Sequence, residues 1–141
     1  MPAEDPITLA VNQSGLAAAA DEMFSMPRKT AMSPIIHEVP DVGTGISDEA
    51  GNIAGSGAGI PSFVGALDNA VKRIIEIHGP DNNRDGDLFA TSDPSHGGVT
   101  RPSDVVVAQP VLFEGTCIAW TASIVHWSNI GGMTPGSSIS R

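Results

Sequence analysis

Residues 61–78 carry the clearest pattern in the chain. Phe63, Val64, Leu67, Ala70, Val71, Ile74 and Ile75 recur at three- and four-residue intervals, which winds into one apolar stripe on a helix. Pro61 or Ser62 opens that helix and Gly79-Pro80 closes it, because glycine accepts the left-handed turn that follows a last helical residue. An earlier helix is predicted from Asp5, a capping residue, and Pro6 at the first helical position. It runs through "ITLAVNQSGLAAAADEMFSM", with Leu9, Leu16, Ala20 and Met23 roughly on one face. Pro27 is expected to break or kink it, since the ring clashes with the carbonyl one turn back. "RKTAMSPIIHEVP" then reads as a short turn of helix and an extended segment, punctuated at Ser33-Pro34.

The remaining segments are β in character. Two short extended pieces flank Asp48 to Asn52, which predicts a hairpin with a glycine-containing turn. "GDLFATSD" reads as a strand and "PSHGGVTRPS" as a loop. "DVVVAQPVLF" and "TCIAWTASIVH" are two β-rich runs joined by Glu114-Gly115, a strong hairpin signal. Pro110 has no N–H to give to a ladder, so a bulge or an edge is expected there. The order of elements predicts an α+β fold over residues 1–141, with two helices packed on a largely antiparallel sheet. "GGMTPGSSISR" offers no closing helix or strand, so this unit is expected to be part of a larger domain or to be finished by another chain.

Composition narrows the function classes. Apolar residues make up 40% and charged residues 16%, the balance of a globular chain. With seven Lys and Arg and a net charge of −9, no clustered cations are available for phosphates, which argues against nucleic acid and against an anionic membrane surface. No apolar run approaches the ~20 residues of a spanning helix, and the N-terminus lacks a signal-peptide pattern. One cysteine, Cys117, cannot form an internal disulfide and falls in a strand pattern as a core thiol. A soluble, cytoplasmic protein is expected.

Four histidines carry the candidate chemistry. His78 ends the second helix, where a solvated role suits the dipole. His37 precedes Glu38 in an extended loop and reads as structural, whereas His96 lies in a glycine-rich loop that no periodicity constrains. His126 ends the last strand and then gives way to "WSNIGG". Alone it reads as structural. Pairing about the 114–115 turn brings it to the same end of the sheet as Asp104, and Asp41 begins the earlier hairpin. Two carboxylates and an imidazole suit zinc, manganese or iron with an open position, or equally a buried hydrogen-bonded pair. "GSGAG" lacks the Lys-Ser/Thr of a phosphate loop, and no G-x-S-x-G elbow occurs.

Taken in order, "DPITL", "GDLF", "SDP", "SDVVVAQPVLFEG", "IVHWSNIGG" and "TPGS" resemble the N-terminal part of the hydantoinase B/oxoprolinase family, from about residue 5 to 138. The resemblance implies a subunit or fragment of an ATP-dependent enzyme complex. Such complexes open a cyclic amide (hydantoin, 5-oxoproline) or carboxylate a ketone, with ATP bound by a hydantoinase A-type partner. It implies a divalent metal (Zn, Mn or Fe) whose ligands fall on Asp41, Asp104 and His126, with Asp104 and His126 taking the catalytic roles. Arg101 stands where the family's histidine three before Asp104 is expected, leaving His96 as a substitute ligand, and Asn129 replaces the usual aspartate after His126. These departures keep open a second reading, a degenerate interaction module without chemistry.

Overall fold

The computed structural model describes residues 5–128 and Gly131. Helix α1 spans Pro6–Thr30, α2 Pro34–His37, β1 Val42–Asp48, β2 Ile53–Ser56, α3 Pro61–His78, β3 Phe89–Thr91, β4 Asp104–Phe113 and β5 Thr116–His126. The strands form one antiparallel sheet in the order β2-β1-β5-β4-β3. The expected α+β architecture is thus observed.

The two long helices take opposite faces of the sheet. On β1, the space a Cβ of Gly43 would fill is taken by Phe63 of α3 and Ile124 of β5, while the next side chain, Thr44, donates from Oγ1 to the Ala20 carbonyl of α1 at 3.0 Å. Neighbouring strand residues point to opposite faces, so α3 covers one side and α1 the other. The α3 face holds the core: Phe63, Leu67, Val71 and Ile74 pack against Val106, Trp120, Ala122 and Ile124. Each fully buried aliphatic side chain there contributes about 1.5–3 kcal/mol relative to an exposed one.

Helix α1 is held more lightly. Asp5 caps it, accepting from the Thr8 N–H at 3.4 Å, and Ala20 and Phe24 are its buried residues. Leu9, expected on the inner face, is half exposed. The helix also passes through Pro27 rather than ending there. Pro27 cannot donate backwards, but its carbonyl still accepts the Ala31 N–H at 2.8 Å. His37 reaches back to the Arg28 carbonyl with Nδ1 at 2.8 Å, which ties α2 to the last turn of α1. The glycine-rich run after Ser128, including Asn129, lies outside the described residues apart from Gly131.

Candidate active site

A single unpaired residue decides what faces what at the end of the sheet. From the turn, Phe113 pairs with Thr116 and Leu112 with Cys117; the register then shifts, and Val111 pairs with Ala119. Ile118 is the extra residue of a bulge, one position from Pro110, and β3 pairing has already stopped at Ala108. Pro110 therefore sits where the ladder is interrupted on one side and open on the other. Because side chains alternate, a one-residue slip would turn His126 to the other face relative to Asp104. With the bulge, Asp104 lies directly opposite His126.

The two side chains meet. His126 Nδ1 is 2.8 Å from Asp104 Oδ1, and both residues are buried. An ionised carboxylate only accepts, so Nδ1 carries the donated proton, and in the neutral ring Nε2 then presents a lone pair. The second oxygen, Oδ2, accepts from the Thr100 hydroxyl and from Arg101 Nε at 3.4 Å. Burial pushes the Asp104 carboxyl up, but the bonds from Thr100 and His126 and the Arg101 charge outweigh it, and the carboxyl is held below its ordinary 3.8. Asp104 is thus an orienting anion with both oxygens engaged.

The loop before β4 is fixed to deliver these partners. Gly98 has φ +73°, and a Cβ there would stand 2.6 Å from the Ala70 nitrogen of α3; only glycine permits that approach. Val99 is buried in the core. After Arg101, the Asp104 N–H returns to the Arg101 carbonyl at 3.0 Å, and Ser103 accepts the Trp127 N–H at 2.8 Å. On the far side of His126, the Asp41 carbonyl accepts the His126 N–H at 3.2 Å, one step beyond the Val42–Val125 pair. Asp41, His126 and Asp104 therefore form a row across three adjacent chain segments. Asp41 Oδ1 is buried without a hydrogen-bond partner among the described residues.

His126 also lines a cavity of about 200 Å³ with Ser33, Ile36, Trp127 and Ser128. Among the described residues its Nε2 has no hydrogen-bond partner. The donors left open in the row are this nitrogen and Asp41 Oδ1, one imidazole and one carboxylate, the donor types of a borderline divalent ion. Among the described residues no three His, Cys, Asp or Glu side chains are grouped to hold a metal by themselves, so an ion on these two donors would keep positions for water or substrate.

The structure does not bring His96 to this row. Its imidazole is exposed, lies 3.1 Å from Asp93 Oδ2 and borders a different cavity, because the anchoring of Gly98 and Val99 holds it apart from Thr100 and Arg101. His37 bonds the Arg28 carbonyl, as a structural histidine should. His78 is exposed, and its ring meets that of Phe89 at a tilt, with centroids 4.7 Å apart. Cys117 is half-buried against the core and its thiol is pushed up by burial, which leaves little thiolate for nucleophilic work. Sequence reasoning missed Thr100. The only signal was a hydroxyl four residues ahead of the carboxylate, a common spacing in any loop.

Similar proteins match nearly the whole chain. A sequence model described as hydantoinase B/oxoprolinase matches residues 5–141. The chain is 33% identical over 133 residues to 5-oxoprolinase of Dictyostelium discoideum, covering 94% of this chain and 10% of that protein. It is 31% identical over 131 residues to the caprolactamase subunit beta of Pseudomonas jessenii, covering 93% of this chain and 22% of that subunit. Its fold superposes on the nucleotide-free structure of an ATP-dependent acetone carboxylase with a TM-score of 0.85 and 28% identity, over 95% of this chain and 18% of the other. The chain thus spans a tenth to a quarter of the length of these relatives.

Proposed function

The chain belongs to the hydantoinase B/oxoprolinase family, and on that premise we propose that it supplies the Asp41–His126–Asp104 row to an ATP-dependent, cytoplasmic complex that opens a cyclic amide or carboxylates a ketone. The observation that carries the proposal is the buried His126–Asp104 pair, with Nδ1 2.8 Å from the Asp104 carboxylate and His126 lining a cavity. Asp104 and its donors Thr100 and Arg101 position the imidazole. In the neutral ring the Nε2 lone pair is then open towards the cavity, where it serves either as a base for water or a substrate or, when an ion is bound, as its ligand, and not as both at once. Asp41 Oδ1 is a second acceptor in the same row.

Asp41 and His126 are the residues that would hold a divalent ion, and Asp104 stands behind His126 as its orienting carboxylate. Such an ion lowers the pKa of bound water and polarises a substrate oxygen. ATP belongs, in this reading, to a hydantoinase A-type partner that activates the amide or enolate oxygen, and the working unit is a hetero-oligomer. The names of relatives as subunits of caprolactamase and of acetone carboxylase support that expectation.

Calorimetry of the chelator-stripped full chain with Mn²⁺ and Zn²⁺ tests the assignment. Binding of about one ion per chain, lost in both His126→Gln and Asp41→Asn, is expected. Binding that survives both substitutions would remove the row from the ion's coordination. A second reading rests on Arg101, whose guanidinium sits 3.4 Å from Asp104 and repels a divalent cation. A chain that takes up no ion alone or with its partner subunit, yet still docks on that partner, would make this a non-catalytic interaction module.

A further inference from the structure

The side of the sheet that carries α1 is only half covered. Helix α1 lies along β1 and β2, with Thr44 bonded to it and Leu16 against Gly55. Among the described residues no helix lies over the middle of β5 and β4 on that side. Side chains alternate along a strand, so every second residue from Val105 to Phe113 in β4, and from Ala119 to Val125 in β5, turns away from the core face of Val106, Ala108 and Ala122. None of these outward residues is charged, although the chain carries a net charge of −9. Val105, at one end, is buried, whereas Gln109, Val111 and Phe113 are exposed.

This bare face holds a hole and a knob. The hole is a trough of about 180 Å³, floored by Val107 and Gln109 of β4 and by Thr121 and Ser123 of β5, and walled by Met23 of α1 and Leu88 before β3. An apolar cavity of about 150 Å³ is enough to take benzene, so the trough has room for a phenyl ring. The knob is Phe113, which is 63% exposed. It stands on the same face of β4, four residues from Gln109 and therefore about 14 Å away. An extended strand separates the two, so the ring does not reach the trough of its own chain. Phenyl ring and trough walls would both gain by leaving water.

We propose that this face is the interface of a twofold dimer, its occupant a second copy of the chain. A twofold axis passing Val111 at right angles to β4 sets residue 113 of each copy over residue 109 of the other. Each Phe113 then enters the opposite trough, and the two sheets pack face to face about 10 Å apart. Charge selects this face for self-association. Two copies at −9 repel, and an uncharged patch lets them close without setting carboxylates against each other. Glu114, beside the knob, is exposed and stays at the rim. Three strands span about 14 Å and β4 about 30 Å, which gives about 400 Å² per copy. That is half the ~800 Å² of a standard interface, so the dimer is weak and exchanging, with a Kd on the order of 100 μM.

Sedimentation equilibrium of the full chain, from about 10 μM to about 1 mM, tests the proposal. A monomer–dimer equilibrium is expected, and raising the salt should tighten it, because salt screens the repulsion and breaks no ion pair across this face. Phe113→Ser removes the knob and Thr121→Arg puts a charge in the trough; each should weaken the dimer at least about tenfold. Neither residue belongs to the core cluster, and the urea midpoint checks that the fold is kept. Ile77→Ser removes an exposed apolar side chain from α3, on the other side of the sheet, and should leave the Kd unchanged. A chain that is monomeric throughout would overturn the proposal and leave the face to a different polypeptide. So would a dimer that both face variants leave intact, one that Ile77→Ser breaks as readily, or one that salt dissociates. Should Thr121→Arg fail to fold, Phe113→Ser, at the exposed tip of the hairpin, decides alone.

Discussion

His126 and His96 are both held by an aspartate through Nδ1, at 2.8 and 3.1 Å, and one loop separates the two pairs. Their surroundings differ in every other respect. Asp104 is fully buried and receives Thr100 and Arg101 as well, whereas the Asp93–His96 pair is open to water on both sides. In water the ion–imidazole attraction is screened and each partner loses little by letting go. In the interior the aspartate has no solvent to fall back on, so the histidine fixes the charge as much as the charge fixes the histidine. Pairing alone does not fix an imidazole; burial turns the pair into one rigid unit.

The sharpest way to break the comparison is to delete each imidazole. His126→Ala leaves an ionised carboxylate in the interior without the donor to its Oδ1 and is expected to cost about 3 kcal/mol, read from the urea midpoint at constant m-value. His96→Ala should leave the midpoint where it was. Equal effects would mean that the burial contrast carries no energetic weight.

Acid provides an intermediate test. In Asp104, burial opposes ionisation, yet Thr100, His126 and Arg101 hold the carboxyl below 3.8. The folded chain therefore releases this proton more readily than the unfolded one. Its contribution is complete above the ordinary carboxylate value and disappears as pH falls through the lower folded value. Stability should fall as pH drops below about 3.8, and Asp104→Asn should flatten that slope while lowering the plateau at neutral pH. Asp93 is also held low, first by the Ser95 N–H and then by His96, but Asp93→Asn should leave the acid profile close to unchanged because the group is exposed. A slope that survives Asp104→Asn intact would move the acid-sensitive group elsewhere.

Much of this arrangement could be read from the residues, and the limit falls at identifiable places. The Phe63-to-Ile75 stripe specifies α3 because its period suits nothing else, and Glu114-Gly115 specifies the β4–β5 turn, with φ positive at both positions. From that turn, positions 104 and 126 had to end near each other. Whether they would face each other depended on Ile118 bulging out, and Pro110 showed only that some irregularity was needed. Pro27 misled in the other direction: the missing hydrogen bond costs the helix locally, but the attachment of Ala20 and Phe24 to the sheet side and of His37 to Arg28 keeps the chain helical beyond it. His96 could not be placed from spacing at all. Gly97 and Gly98 made its loop look free, whereas both glycines are there because backbone and side chains crowd them.

Arg101 is where the smallest effect should sharpen the contrast most. Its guanidinium is about half exposed and only Nε, at 3.4 Å, approaches Asp104, so Arg101→Met should cost about 0.5 kcal/mol at neutral pH. Its charge acts over a longer range than its hydrogen bond. Removing a fixed cation beside the row should strengthen Mn²⁺ or Zn²⁺ binding about tenfold, and Arg101→His should do at least as well because it adds a nitrogen donor where the family's histidine is expected. The two readouts separate the possible roles. If Arg101→Met destabilises as much as His126→Ala, the guanidinium is a structural third partner of the buried carboxylate. If stability is kept and ion affinity does not rise, the charge does not govern the row, and the argument that Arg101 weakens a metal there fails.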